Sequence, residues 1–218
     1  MTYKDLRENN TVREYIRKAD ESLLALGYTE HSFAHVGKVA DTAAYILSTL
    51  NYSEHDIELA RIAAWLHDIG NLVNRDGHAQ SGALMAFRIL DKMDLDASDI
   101  ATVVTAIGNH DESNGVAVNA ISAALILADK SDVRRSRVRN NDISTFDIHD
   151  RVNYSVTSSE WVLDANNGLI DLHLTVDTAY GSIMDYFEIF LHRMIMCRHA
   201  AEKLSLRFGL YINEQRIL

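Results

Sequence analysis

The chain has 218 residues and a formal net charge of −10, a length that fits one domain with a sizeable core. This acidic balance argues against a nucleic-acid polymer as partner, because polymer binding needs a net basic face. No apolar stretch approaches the ~20 residues that cross a bilayer, and the polar first residues lack a signal-peptide core. The single cysteine, Cys197, excludes an internal disulfide. We therefore expect a cytoplasmic protein with no membrane partner.

Helical periodicity dominates the first part of the chain. Residues 11–26 place apolar side chains on one stripe, and Gly27 fits the position just after a helix. The pattern repeats over residues 31–50. Ser53 is a typical N-cap and predicts a third helix that ends at His67.

More helices are predicted further along, with one change of pattern between them. The helices run over residues 81–93, over 98–110 with Ser98 as the cap, over 119–132 and, after the change, over 182–208 up to Gly209.

The change of pattern indicates β-structure. The stretches 151–164 and 169–177 are rich in β-formers, and the intervening ANNG carries the Asn-Gly dipeptide typical of a hairpin. The sequence therefore predicts a mainly α-helical single domain over residues 1–218, with an inserted β-hairpin near residues 152–176.

Several histidines and acidic residues lie at the ends of the apolar helices. His31 and His35 are four residues apart and share one helix face. His67 and Asp68 are adjacent at a helix end, and Asp129 ends another apolar run. An unpaired carboxylate buried there would be costly. Imidazole nitrogens and carboxylate oxygens together suit a divalent metal ion, and ligands from several helices can converge in a bundle core.

Two further histidines predict a second metal ion. HDIGN at 67–71 is echoed by IGNHD at 107–111, and both His78 and His110 follow a glycine-containing turn that lets the backbone bend. Asp111 is expected either to ligate or to orient His110 from behind. The alternative is a one-metal site in which these histidines are substrate or loop residues. No role in the site is expected for His55, His149, His173, His192 and His199.

The order His, His-Asp, Asp resembles the HD-domain superfamily of metal-dependent phosphohydrolases. The family's three motifs are similar to EHSFAHVGKVADTA, AAWLHDIGN and LILADKSD, and the resemblance covers about residues 25–135. It implies a helical bundle with metal at its centre, bound by His35, His67, Asp68 and Asp129. The Gly-Tyr-Pro signature of the cyclic-di-GMP branch and the His-Asp-x-x-Glu-Asp of alarmone hydrolases are absent, which disfavours both substrates.

The resemblance also implies individual roles. A similar His-x-x-x-His arrangement in cyclic-nucleotide phosphodiesterases pairs a leaving-group acid with a metal ligand, which assigns the acid to His31. Two-metal members carry extra histidines in the interval of His78 and His110, so that Asp68 would bridge two ions. Either Asp129 or the bridging carboxylate would accept the proton of the attacking water. The candidate metals are Mn, Fe, Mg, Zn, Ni and Co.

A basic stretch follows the last acidic motif. DKSDVRRSRVRNN holds four arginines in an otherwise acidic chain, and guanidinium groups bind phosphate bidentately. We expect Lys130, Arg134 and Arg135 to contact the phosphate of a small anionic substrate, with Arg137 and Arg139 as further candidates. The alternative is a solvated basic loop.

Together with the metal-ligand pattern, the resemblance implies a metal-dependent phosphohydrolase that cleaves a small phosphate ester, such as a nucleotide or a related metabolite, with metal-activated water. Two alternatives stay open. One is a di-iron oxygenase that acts on a small polyol or phosphonate, and the other is a non-catalytic nucleotide-binding sensor. The substrate, the physiological metal and a homodimeric state are not decided by the sequence.

Overall fold

The computed structural model describes residues 1–218. The α-helices are α1 (Tyr3–Glu8), α2 (Asn10–Ala25), α3 (Phe33–Thr49), α4 (Glu54–Leu66), α5 (His78–Lys92), α6 (Ala97–Gly108), α7 (Ala120–Lys130), α8 (Ile148–Ser155) and α9 (Ile183–Lys203). Short 3-10 helices span Ile69–Leu72, Arg135–Arg137 and Ile143–Thr145. The strands are β1 (Val156–Asp164), β2 (Leu169–Val176), β3 (Arg207–Ile212) and β4 (Gln215–Arg216).

Short polar side chains fix where the helices begin. Ser53 and Asn119 accept hydrogen bonds from N–H groups in the first turns of α4 and α7, which satisfies donors that have no partner within the helix. The cap of α6 is Asp96, whose carboxylate accepts from the N–H of Ser98. The prediction of Ser98 as that cap is therefore wrong by two positions.

Helix α7 lies at the centre of the helical bundle. Every residue from Ile121 to Ala128 is buried, because α7 packs against α3, α4, α6 and α9. One continuous cluster of 51 buried apolar residues joins these helices to the sheet. The predicted mainly helical fold is confirmed. The last residues of α7 lie at the edge of this core.

The predicted hairpin is present as part of a four-stranded sheet. Strands β1 and β2 pair antiparallel, and the turn between them has Gly168 at φ +63°. Helix α9 then connects β2 to β3, which pair parallel, and β4 closes the sheet antiparallel to β3. The hairpin begins at Val156, because residues 152–155 form the end of α8.

The C-terminal helix is shorter than predicted. Helix α9 ends at Lys203, and Ser205 adopts φ +61° where the chain turns back. Residues 207 and 208, predicted as the end of the helix, instead belong to β3, which pairs with β2 and buries Leu210 and Ile212. Pairing with a distant strand has overridden the local helical pattern. No helix in the structure, α9 included, has both the length and the apolar composition for crossing a bilayer.

Candidate metal centre

Four buried imidazoles at or just beyond the ends of four different helices converge on Asp68. His35 lies in the first turn of α3, and His67 follows α4 directly. His78 is the first residue of α5, and His110 follows the end of α6. All four rings are buried, as is Asp68. The structure therefore brings together histidines that the sequence separates widely.

Asp68 presents its two carboxylate oxygens to two different pairs of imidazoles. Its Oδ2 lies 3.5 Å from His35 Nε2 and 3.2 Å from His67 Nε2. Its Oδ1 lies 3.7 Å from His78 Nε2 and 4.0 Å from His110 Nε2. The carboxylate thus stands between two groups of nitrogen donors.

Asp129, near the end of α7, completes the first of these groups. Its Oδ1 lies 3.4 Å from His35 Nε2 and 3.7 Å from His67 Nε2. We call His35, His67 and Asp129 the first donor set, and His78 and His110 the second donor set; Asp68 faces both.

The imidazole tautomers are fixed by hydrogen bonds on the far side of each ring. Nδ1 donates to a main-chain carbonyl at 2.7 Å in His67, 3.0 Å in His78 and 2.6 Å in His110. Because a carbonyl oxygen can only accept, Nδ1 carries the proton in each neutral ring and Nε2 keeps its lone pair. All these lone pairs are directed toward the acidic centre.

This arrangement fits bound cations. His35 Nε2 and His67 Nε2 lie 3.3 Å apart, and His78 Nε2 and His110 Nε2 lie 3.2 Å apart. Two facing lone pairs repel each other unless a cation or a proton lies with them. Nitrogen and carboxylate oxygen donors together suit divalent ions of intermediate hardness. The residues present therefore match a divalent metal site.

The first donor set also has strongly negative surroundings. Burial lowers the pKa of His67, but the carboxylates of Asp68 and Asp129 outweigh it and raise that pKa to about 10. Burial likewise opposes the rise at His35, whose pKa reaches about 8 through hydrogen bonds with carboxylates. Carboxylates that retain protons on neighbouring imidazoles also attract a divalent ion.

Asp132 supports this set and was missed by the sequence analysis. Its buried carboxylate accepts the Nδ1 proton of His35 at 2.8 Å, which fixes the orientation of that ring. Its other oxygen lies 3.1 Å from Lys38 Nζ and 2.9 Å from Arg134 Nε. The available signal was a second aspartate three residues after Asp129.

The structure does not bring Arg134 and Arg135 to the site. Arg134 pairs with Asp132 and, at 3.1 Å, with Glu30. Arg135 pairs with Asp177 at 3.3 Å and does not line the cavity beside the donor sets. Both guanidinium groups hold segments of the chain together, so the expected phosphate contact finds no support for either.

A cavity of about 450 Å³ opens beside the donor sets. Its wall includes Asp68, Asp129, both histidines of the second donor set and His31. The start of α8 and the residue before it supply further polar groups, including His149, to which the sequence analysis gave no role. The charged and polar residues of the wall not yet placed there are Tyr28, Thr29, Arg75, Glu112, Lys130, Arg137, Asp147, His149, Asp150, Asn153 and Arg193.

Lys130 lines this cavity, but its positive charge is already paired with two carboxylates. Its buried Nζ lies 2.8 Å from Asp129 Oδ2 and 2.6 Å from Glu112 Oε2. Arg193 also donates to Glu112, at 3.0 Å. Although burial opposes it, these two cations hold the pKa of Glu112 well below its usual range. Lys130 therefore anchors the carboxylate of Asp129 beside the first donor set.

His31 and Asp111 occupy positions around the centre. The ring of His31 lines the cavity, and its centroid is 5.5 Å from that of His35. Asp111 Oδ2 lies 3.6 Å from His78 Nε2. The Nδ1 of His110 is taken by a main-chain carbonyl. Of the two expected roles for Asp111, the geometry therefore favours a ligand beside the second donor set over orientation of His110.

The second donor set depends on a close approach at Gly70. Helix α5 begins at His78, three residues earlier than predicted, just after Gly77 at φ +67°. A Cβ at Gly70 would lie 2.0 Å from the main-chain oxygen of His78 and 2.4 Å from the nitrogen of Gly82. Only glycine lets the turn after Asp68 pack this closely against α5.

A family model matches the segment that carries the donor sets. The model of the HD domain matches residues 32–147, which include both donor sets and Asp68. An uncharacterized protein of Methanocaldococcus jannaschii is 28% identical in an alignment of 162 positions that covers 64% of this chain and 62% of that protein. The chain thus spans less than two thirds of that relative. A crystal structure of a predicted HD superfamily hydrolase from an uncultured Thermotogales bacterium is 26% identical, with a TM-score of 0.45 over 62% of this chain and 75% of that one.

Proposed function

The chain belongs to the HD-domain family, and on that premise we propose that it is a metal-dependent phosphohydrolase of small phosphate esters, such as nucleotides or related metabolites. The observation that carries the proposal is the position of Asp68. Its two oxygens face two pairs of imidazole Nε2 atoms, whose rings are hydrogen-bonded to main-chain carbonyls or to Asp132 through Nδ1. Cationic side chains line the adjoining cavity, which suits a small anionic substrate.

Two divalent ions fit the donors that the chain offers. The first donor set with Asp68 would hold one ion, and the second donor set with Asp68 and Asp111 would hold the other. This mixture of donors admits Mn, Fe, Mg, Zn, Ni or Co. Divalent ions lower the pKa of bound water toward neutral pH and stabilise the charge that develops on phosphoryl oxygens.

The remaining steps belong to side chains of the chain itself. Lys130 holds Asp129 Oδ2 at 2.8 Å and leaves Oδ1 directed at the imidazoles. Asp129 or Asp68 accepts the proton of the attacking water. His31 donates a proton to the leaving group from Nε2, because its Nδ1 is engaged by the carbonyl of Thr29 at 2.7 Å. Burial and the charge of Arg137 lower the pKa of His31, and the negative charge of a bound phosphate acts in the opposite direction and favours the protonated form of that ring.

The test compares wild type with Asp68→Ala. Both proteins are purified without chelator, analysed for metal, and assayed on a panel of nucleotides and sugar phosphates. We expect Asp68→Ala to lose both ions and all hydrolysis, because both donor sets share this carboxylate. Its helical content by circular dichroism should stay close to that of wild type. Asp99→Ala is the matched control, since Asp99 pairs with His55 away from the cavity.

Three outcomes would contradict the proposal. One is full turnover and stoichiometric metal in Asp68→Ala. Another is a metal-loaded wild type that hydrolyses no phosphate ester. The third is a wild type that contains iron with a mixed-valence spectrum and takes up oxygen when substrate is added, which would indicate the di-iron oxygenase. A protein that binds nucleotides without turning them over would indicate the sensor.

A further inference from the structure

Most cations of the cavity wall are already paired with protein groups. Lys130 and Arg193 both bind Glu112, at 2.6 Å and 3.0 Å. Arg137 donates to the main-chain carbonyl of Asp132 at 2.7 Å and lies 3.8 Å from its carboxylate. These charges are therefore largely balanced before any substrate enters.

Arg75 differs from the other cations of the wall. No carboxylate lies within 4.0 Å of its guanidinium, whereas Lys130, Arg137 and Arg193 each have at least one. Its Nη1 donates to Asn71 Oδ1 at 3.3 Å, and its Cζ is 5.6 Å from the centre of the Tyr28 ring. An amide and an aromatic ring orient the guanidinium but do not neutralise it. Its charge remains available to an anion in the cavity.

Arg75 is also linked to the central carboxylate. Asn71, which accepts the hydrogen bond from Arg75, donates through Nδ2 to Asp68 Oδ1 at 2.9 Å. The main-chain carbonyl of Arg75 in turn accepts the Nδ1 proton of His78 at 3.0 Å. A half-buried guanidinium is thus held one side chain away from the carboxylate that faces both donor sets.

We propose that Arg75 binds the phosphoryl group of the substrate and that the substrate is a phosphate monoester; this rests on the proposed function. A guanidinium binds phosphate oxygens through two parallel N–H groups. A monoester has three non-bridging oxygens and a diester has two. When two of them face the two donor sets, only the monoester keeps a third oxygen for Arg75. Arg75 therefore selects monoesters and takes the role that Arg134 and Arg135 do not fill.

The test uses Mn²⁺-loaded wild type, Arg75→Ala and Arg75→Lys. Steady-state kinetics are measured with p-nitrophenyl phosphate and bis(p-nitrophenyl) phosphate, and binding of inorganic phosphate is measured by calorimetry. Loss of the guanidinium should raise KM for the monoester, and Kd for phosphate, about tenfold to a hundredfold. Metal content should not change. Arg75→Lys should recover part of the loss, because lysine keeps the charge without the fork.

The control is Arg88→Ala, since Arg88 is exposed on α5 and pairs only with Asp91 at 3.8 Å. It should match wild type in every measurement. An active wild type with unchanged KM and phosphate Kd in Arg75→Ala would overturn the assignment while the proposed function stands. Loss of metal in Arg75→Ala, or a larger defect on the diester, would overturn it as well. If wild type hydrolyses neither of these esters and none of the nucleotides and sugar phosphates of the panel, the proposed function fails, and the phosphate Kd still tests Arg75.

Discussion

The two donor sets consist of the same kinds of side chain but differ in charge. Around the first donor set, Asp68 and Asp129 approach Nε2 atoms, and Asp132 supports His35 from behind. In the second donor set, His78 and His110 meet only the other oxygen of Asp68, with Asp111 at 3.6 Å from His78. Carboxylate oxygens therefore approach the Nε2 atoms of the first donor set more closely, at 3.2–3.7 Å against 3.6–4.0 Å in the second, and only the first donor set has a carboxylate behind one of its imidazoles.

The pKa values of the imidazoles are shifted in opposite directions in the two donor sets. The carboxylates around His67 outweigh its burial and raise its pKa to about 10. Burial, with the charges of His67 and Lys130, lowers the pKa of His110 to about 3. The pKa values of these two rings thus differ because carboxylates outweigh burial at His67, whereas neighbouring cations add to the effect of burial at His110. We expect the first donor set to bind its divalent ion more tightly than the second.

The variant expected to separate the two donor sets most strongly is Gly70→Ala. The added Cβ would collide with the main chain of His78, so α5 must shift, and the second donor set should lose its ion while the first keeps its own. We also expect a loss of about 1–3 kcal/mol in the free energy of unfolding. Metal analysis and urea denaturation measure both effects.

The matched control for that variant is Gly37→Ala in α3. The nearest heavy atom to a Cβ there is Trp65 Cζ3 at 3.9 Å, an ordinary contact. That variant should keep two ions and lose no stability. Two ions in Gly70→Ala, with wild-type stability, would show that the close approach at this turn is not required.

A smaller effect is expected from His110→Ala, which removes one imidazole without moving the backbone. Metal content should fall from two ions to one, because the second donor set retains only His78 and the carboxylates. His78→Ala should give the same result. A single ion in wild type and in both variants would eliminate the two-metal centre and leave these histidines as substrate or loop residues.

The smallest effect is expected from Asp132→Asn, which weakens the first donor set instead of the second. The amide preserves the shape of the side chain but removes the charge that supports His35. Affinity of the first donor set for its ion should fall about tenfold to a hundredfold, and the second should be unaffected. Competition with a fluorescent chelator measures both affinities. Equal weakening of both sites would argue against separate roles.

The sequence carried enough information for the helical fold and for the convergence of the donor residues. Each of His35, His67 and Asp129 lies near an end of an apolar helix, and helix ends that bury one face against a common core come together. The predicted C-terminal helix is too long, because the strand that follows it, residues 207–212, forms its hydrogen bonds with β2, far away in the chain.

The partners of the charged residues could not be predicted in the same way. Asp132 meets His35 across 97 positions of sequence, and no local pattern records that contact. Arg134 and Arg135 form a conspicuous basic cluster, yet Glu30 and Asp177 neutralise them from distant segments. A count of nearby charges therefore favoured arginines that are already paired.

The orientation of the imidazoles has a consequence for how such a centre changes during divergence. His67, His78 and His110 are oriented by main-chain carbonyls, which no substitution can delete as long as the local backbone persists. His35 alone is oriented by a side chain, Asp132. The orientation of these three imidazoles therefore does not depend on the identity of neighbouring side chains, whereas the orientation of His35 requires that Asp132 be retained with it. In descendants of this chain, replacement of Asp132 should accompany replacement of His35.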